Sequence, residues 1–249
     1  MPADETRYRQ CLDRARDAPA ETYAEATGWA RMGGGDPARH CAALALLHGG
    51  RAREAAEELE DLANNWHRAR PVLRSEVLGQ AGRAWIDAGD PTRANAVLTT
   101  AIQLVPLNIE LYVDRAEALA AGHAYWEAID DLNRVIEMNP RRADALAMRA
   151  AAYRFVDSLD LAAEDAEQAV TVDPNLAEGW LERGIIHRLR GNVREARADW
   201  GRALRLDPDG PVGDAVRANI ERLELRLDEE PASPPQPAQQ APAQQQRRP

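Results

Sequence analysis

Residues 106–140 read PLNIELYVDRAEALAAGHAYWEAIDDLNRVIEMNP, and residues 140–174 read PRRADALAMRAAAYRFVDSLDLAAEDAEQAVTVDP. The two stretches follow one pattern. Proline closes each, and Pro106, Pro140, Pro174 and Pro208 stand at intervals of 34 residues. Counting units from Ser75, Ile109, Ala143 and Ala177, the eighth position is Gly82, Ala116, Ala150 and Gly184. The twentieth is Ala94, Ala128, Ala162 and Ala196, and the twenty-seventh is Ala101, Val135, Ala169 and Ala203. Small residues at fixed sites are what two helices need when they cross closely, since a larger side chain pushes the axes apart. Proline near the unit's end fits the turn after a helix, where its missing N–H does least harm. A fixed period of this size marks stacked supersecondary units, each burying its apolar face on the next.

The pattern predicts helix, turn, helix in each unit. In the last, residues 178–190 form the first helix, Gly191-Asn192 the turn and Val193–Leu206 the second. Glycine recurs at the turn as Gly89 and Gly191, suited to a left-handed residue after a helix; Asp157 takes that place in the third unit at some cost. Four regular units therefore cover 75–108, 109–142, 143–176 and 177–210. Residues 36–74 hold a further unit, with Gly50 at the turn, Ala55 at the twentieth position and Leu59 and Leu62 on the buried face. Extra residues that include Pro71 follow it. Residues 1–35 read as a degenerate unit ending in Gly33-Gly34-Gly35. At the other end, residues 211–228 form one amphipathic helix with Val216, Ile220, Leu223 and Leu227 on a stripe, the cap that a repeat array needs. Residues 229–249 are rich in Pro, Gln and Ala, a composition expected to be disordered.

A charge pattern runs through the array. The seventh position is Arg115, Arg149 and Arg183, and the twenty-third is Asp131, Asp165 and Asp199. In the Ser75 unit both are absent together, as Ala81 and Val97. That co-absence favours pairing inside one repeat, as bidentate structural pairs between antiparallel helices. Acids also recur at the second position, Glu76, Glu110, Asp144 and Glu178, where a helix N-terminus favours negative charge.

In this register residues 36–210 resemble the tetratricopeptide repeat family, in its bacterial type. The resemblance implies an all-α, right-handed superhelical solenoid of helix-turn-helix repeats with a C-terminal capping helix. It also implies that a partner binds on the concave face lined by first helices. There the Ser75 and Ile109 units offer polar or small groups, among them Gln80, Arg83, Asp87, Asp114 and Glu117. The next two units offer Met148, Arg154, Phe155, Leu181, Ile185, Arg188 and Leu189. Leu181, Ile185 and Leu189 run along one face and either pack helix on helix or floor an apolar groove edged by Arg154 and Arg188. Such a groove suits a peptide or helix with hydrophobic anchors. The Lys/Asn/Arg pattern by which some family members clamp a terminal carboxylate is missing, since Gly79, Arg83 and Asp114 stand there.

Little in the chain points to catalysis. The serines are Ser75, Ser158 and Ser233, none in a nucleophile elbow, and Gly33-Gly34-Gly35 lacks the features of a phosphate loop. His40, Cys41 and His48, with Cys11, are the one set that merits a metal question, but no carboxylate completes it, so no metal or cofactor is expected. His187 at the eleventh position reads as a packed core histidine. The net charge of −10 argues against nucleic acid, and no apolar run is long enough to cross a membrane. Cys11 and Cys41 both fall at the sixth position of their units, where neighbouring first helices approach. They are either a disulfide or two buried thiols. The run from Cys11 through Trp29 to Cys41 resembles the start of some exported bacterial repeat proteins, which would imply a bridge. The N-terminal residues carry no apolar export segment, so a cytoplasmic chain is expected as it stands, and a periplasmic one if a cleaved signal precedes it. The sequence thus leads to a non-catalytic scaffold or adaptor for another protein, with an exported cell-envelope accessory protein as the alternative.

Overall fold

The computed structural model describes residues 2–66 and 69–229, all of them helical or in the turns between helices. In chain order the helices are α1 (Pro2–Asp17), α2 (Pro19–Trp29), α3 (Gly35–His48), α4 (Ala52–Asn65), α5 (Pro71–Asp87), α6 (Pro91–Leu104) and α7 (Ile109–Ala121). They continue as α8 (Tyr125–Met138), α9 (Ala143–Phe155), α10 (Leu159–Val172), α11 (Ala177–Leu189), α12 (Val193–Leu206) and α13 (Pro211–Glu229). A kink at Ala30–Gly34 joins α2 to α3, with the backbone left-handed at Gly33 (φ 92°). Each helix packs on the next, and α5, α7, α9, α11 and α13 also touch in series. The result is a one-dimensional stack, a solenoid in which each unit is stabilised by its neighbours.

The small residues set the crossings. Ala94, Ala128, Ala162 and Ala196 are fully buried, as are Ala101, Val135, Ala169 and Ala203. A methyl group at Gly184 would come within 2.5 Å of the Trp200 ring on α12, and one at Gly82 would run into Leu98 on α6. Hydrogen at the eighth position is therefore what lets these helix pairs close. Each repeating proline stands two residues beyond the end of α6, α8, α10 or α12. The left-handed turn recurs at the period of the sequence, at Gly89 (φ 73°), His123 (φ 62°), Asp157 (φ 61°) and Gly191 (φ 80°). His123 is the member of that series that its residue type conceals.

Two expectations need correction. Helix α5 begins at Pro71, not at Ser75, because proline is well placed in a helix's first turn and recruits residues of the insertion. Glu76 therefore lies beyond the first turn; Glu110, Asp144 and Glu178 alone of the four acids sit in one. At the C-terminal end α13 buries Val212, Val216 and Leu223 against Ala177, Trp200 and Ala203, with Ile220 beside them, and so caps the stack. The Leu227 side chain lies outside the described residues, as does the Pro/Gln/Ala-rich segment beyond Glu229. Among the described residues no helix is long and apolar enough to cross a membrane.

Candidate interaction surface

The repeated arginines are structural hubs. Arg115 donates to Asp131 through Nε and Nη2, both at 2.7 Å, and its Nη1 donates to Thr99 Oγ1 at 3.1 Å. Arg149 holds Asp165 in the same fork and donates to Asn133 Oδ1 at 2.7 Å. Arg183 holds Asp199 and donates to Glu167 Oε2 at 2.7 Å. The three aspartates are buried. Thr99, Asn133 and Glu167 are themselves 34 residues apart, on the second helix of the preceding unit. Pairing confined to one repeat is thus too narrow a reading: each guanidinium also ties its unit to the one before. The fork uses two of the guanidinium's five N–H donors, and Nη1 turns to an acceptor on the preceding helix.

The proposed groove residues do not share one open floor. Leu181 and Ile185 are half-buried and pack into the cluster formed with Trp200, Val212 and Val216, so they seat the capping helix. Met148 packs against the α7–α8 core with Leu132 and Ala145. Arg154 is no free rim cation. It forms an ion pair with Glu182, Nε to Oε1 and Nη2 to Oε2 at 3.2 Å, and Glu182 is only 6% exposed. Burial pushes the Glu182 carboxyl up, with the Arg154 hydrogen bonds pulling the other way. Arg188 is half-buried.

Phe155 and Leu189 differ from the rest. They are the last residues of α9 and α11, one repeat apart, and are 56% and 44% exposed. The Phe155 ring stacks on Tyr125 with centroids 4.5 Å apart and planes 4° from parallel. Tyr125 Oη lies 2.8 Å from His123 Nδ1 at the left-handed turn. The Arg154 guanidinium also sits over the Phe155 ring, 4.3 Å from its centroid. Trp126, next to Tyr125, is 59% exposed. An exposed aromatic is therefore fixed in place by a ring and by a cation, at the edge where first helices turn into second helices. Tyr125 and Trp126 escaped the sequence reading because they open a second helix. An aromatic pair just past a turn was the available signal.

At the N-terminal end Cys11 and Cys41 form a disulfide between α1 and α3, with Cα atoms 6.1 Å apart. Cys41 is thereby unavailable as a metal ligand, and among the described residues no group of three or more potential ligands is placed to hold an ion. His40 is buried, with Nε2 2.6 Å from Gln80 Oε1 and Nδ1 against the Tyr8 hydroxyl. The amide oxygen can only accept, so Nε2 carries the proton and Nδ1 accepts from Tyr8. Burial lowers the His40 pKa and, aided by Glu76, pushes the Tyr8 phenol up to about 12. His187 is half-buried, with Nε2 3.7 Å from Asp199.

The Tetratricopeptide repeat family model matches residues 177–209, the unit whose turn, close glycine and Arg–Asp fork are described above. Solved structures extend that likeness along the chain. MamA from Desulfovibrio magneticus RS-1, residues 41 to the end, superposes with a TM-score of 0.57 at 22% identity, covering 68% of this chain and 93% of that one. The chain thus has the fold of a tetratricopeptide-repeat solenoid. YrrB, described as a TPR protein with an unusual peptide-binding site, superposes with a TM-score of 0.53 at 17% identity, covering 74% of this chain and 91% of that one. At these identities the likeness is one of fold. None of the curated proteins matches the chain. Within the tetratricopeptide array, two of the positions where a carboxylate clamp would stand are already engaged with each other: Arg83 Nη1 donates to Asp114 Oδ2 at 2.5 Å.

Proposed function

We propose that this tetratricopeptide-repeat chain is a non-catalytic scaffold or adaptor that binds a peptide or helix of another protein, anchored at the Phe155 edge of the first helices. One observation carries the reading: a large aromatic ring is more than half exposed and yet held by Tyr125 and Arg154. Leaving it in water forgoes the stabilisation that burial would supply. Rigid aromatic anchors that lose little entropy on association commonly dominate interface energies. Leu189, and Trp126 beside Tyr125, extend the apolar edge for further side chains of the partner. The peptide-binding site in YrrB's description is a precedent for the fold, not for these residues.

Arg154→Glu is the wrong probe, since it would set a second carboxylate beside buried Glu182. Phe155→Ala is the right one. Ligands selected from a random peptide display library on the purified chain should bind that variant about 2 kcal/mol more weakly, near 30-fold. Its unfolding free energy should fall by less than about 1.5 kcal/mol, short of a buried phenylalanine truncation. A variant that binds normally and melts far earlier would make Phe155 part of the core.

The bridge favours a second reading, an exported cell-envelope accessory protein, because disulfides persist in oxidising compartments. Thiol titration in denaturant, of protein purified without reductant, separates the compartments. Two free thiols would count against export.

A further inference from the structure

Helix α1 leans on α3 more than on α2, and between α1 and α2 it leaves a cleft of about 370 Å³ whose walls include Arg7, Cys11, Arg14, Thr22, Glu25 and Trp29. Three observations make this more than a gap between helices. Thr22 borders the cleft and is 1% exposed, and its buried hydroxyl has no hydrogen-bond partner among the described residues. A buried hydroxyl left unpaired costs free energy that a bound polar group would recover. Cys11 lines the cleft, whereas Cys41 is completely buried and does not. The walls present both signs of charge around an aromatic face: Arg14 donates to both Glu25 oxygens at 2.7 and 3.1 Å, Asp13 stands beside it, and Arg7 lies 4.9 Å from the Trp29 ring centroid.

We propose that this cleft admits a small zwitterionic thiol, cysteine or a short cysteine-containing peptide, which opens the Cys11–Cys41 bridge by attack on Cys11. The cleft is in the size range of ligand pockets, about 300–1,000 Å³. Arg7 and the Arg14–Glu25 pair face the carboxylate and ammonium of such a ligand, Asp13 adds a second acid, and the Thr22 hydroxyl gains a polar partner. Exchange proceeds by thiolate attack on a disulfide sulfur, and which sulfur is attacked depends on access. The incoming thiolate forms a bond to Cys11 Sγ and the Cys11–Cys41 bond breaks. Its electron pair leaves on Cys41 Sγ, which takes up the proton the incoming thiol gave to water. One disulfide replaces another: the incoming thiol is oxidised as Cys41 is reduced, and no other oxidant or reductant is needed. The mixed disulfide on Cys11 removes the covalent tie between α1 and α3 and makes the attachment of the first helix responsive to the thiol pool.

Reduced glutathione and 2-mercaptoethanol are the probes, applied to the oxidised full-length chain and quenched by alkylation for peptide mass mapping. The expected product carries one glutathione on Cys11 and the alkyl group on Cys41. Relative to 2-mercaptoethanol, glutathione should react about fivefold faster with the folded chain than the same ratio measured in urea, the effect of one nearby charge. Arg7→Gln should return that ratio to the unfolded value while leaving the 2-mercaptoethanol rate unchanged. Glutathione on Cys41, adducts spread over both cysteines, or a folded ratio equal to the unfolded one would overturn the proposal.

Discussion

Arg149 holds three helices at once. It leaves α9, forks onto Asp165 of α10 and reaches Asn133 of α8. Arg115 and Arg183 repeat the arrangement one unit to either side. The aspartate partner was legible in the sequence because arginine and aspartate vanish together from the Ser75 unit. The third partner was not, since Thr99, Asn133 and Glu167 share an acceptor oxygen but neither charge nor residue type. Arg149→Ala leaves Asp165 buried and unpaired and should cost about 1–3 kcal/mol. In denaturant titrations the double change with Asp165→Ala should cost less than the sum of the singles. Asn133→Ala should couple to Arg149 more weakly. Additive effects for Arg149 and Asp165 would show that the fork contributes no coupling. His40 offers a second residue-scale test. Its folded pKa lies below the ordinary 6.5, so the unfolded chain binds the proton more readily. The stability it contributes is complete above the unfolded pKa and is lost as pH falls through the folded one. Tyr8, Gln80 and Glu76 are the groups around it. Between about pH 7.5 and 5.5 the melting temperature should fall more steeply for the natural chain than for His40→Gln. Equal slopes would mean that His40 does not titrate between the two states.

The elements were the most legible level, for a physical reason. A repeat displays each constraint several times, so a small residue at the eighth or twentieth position is read against three others. Val193–Leu206 is the second helix the sequence predicts, and the first helix differs from the expected 178–190 by one residue at each end. Where the repetition lapses, the reading weakens. The start of α5 and the kink at Ala30–Gly34 depend on local proline and glycine placement with no second copy for comparison. Helix α13 was legible from its apolar stripe, yet which residues it would cover was not. For Leu181 and Ile185 helix packing and a groove floor both stayed open, because sequence spacing gives a helix face and not what lies over it. Removal of residues 211–249 should expose Trp200, Ala203 and those two side chains to water. Aggregation, or loss of a single cooperative melting transition, is the expected outcome. A truncated chain that stays monodisperse and melts as before would remove the capping role from α13.

At the scale of the whole molecule the stack presents a long row of first helices whose C-terminal ends differ from unit to unit. The Ser75 and Ile109 units carry Asp87, Asp114 and Glu117, where burial pushes the Asp114 and Glu117 carboxyls up. The Ala143 and Ala177 units carry the exposed Phe155 and Leu189. The exposure of Phe155 was legible from the sequence by its position in the repeat. The ring beneath it was not, because Tyr125 comes from the preceding unit and meets Phe155 only through the stacking of repeats. Backbone amide chemical shifts of the labelled chain, recorded while a selected peptide is titrated in, test the scaffold reading most directly. The result expected is a continuous set of perturbed residues centred on Phe155, with His123, Tyr125 and Leu189 included and the outer faces of α6 and α12 silent. Perturbations confined to those second-helix faces, with Phe155 and Tyr125 unmoved, would contradict it.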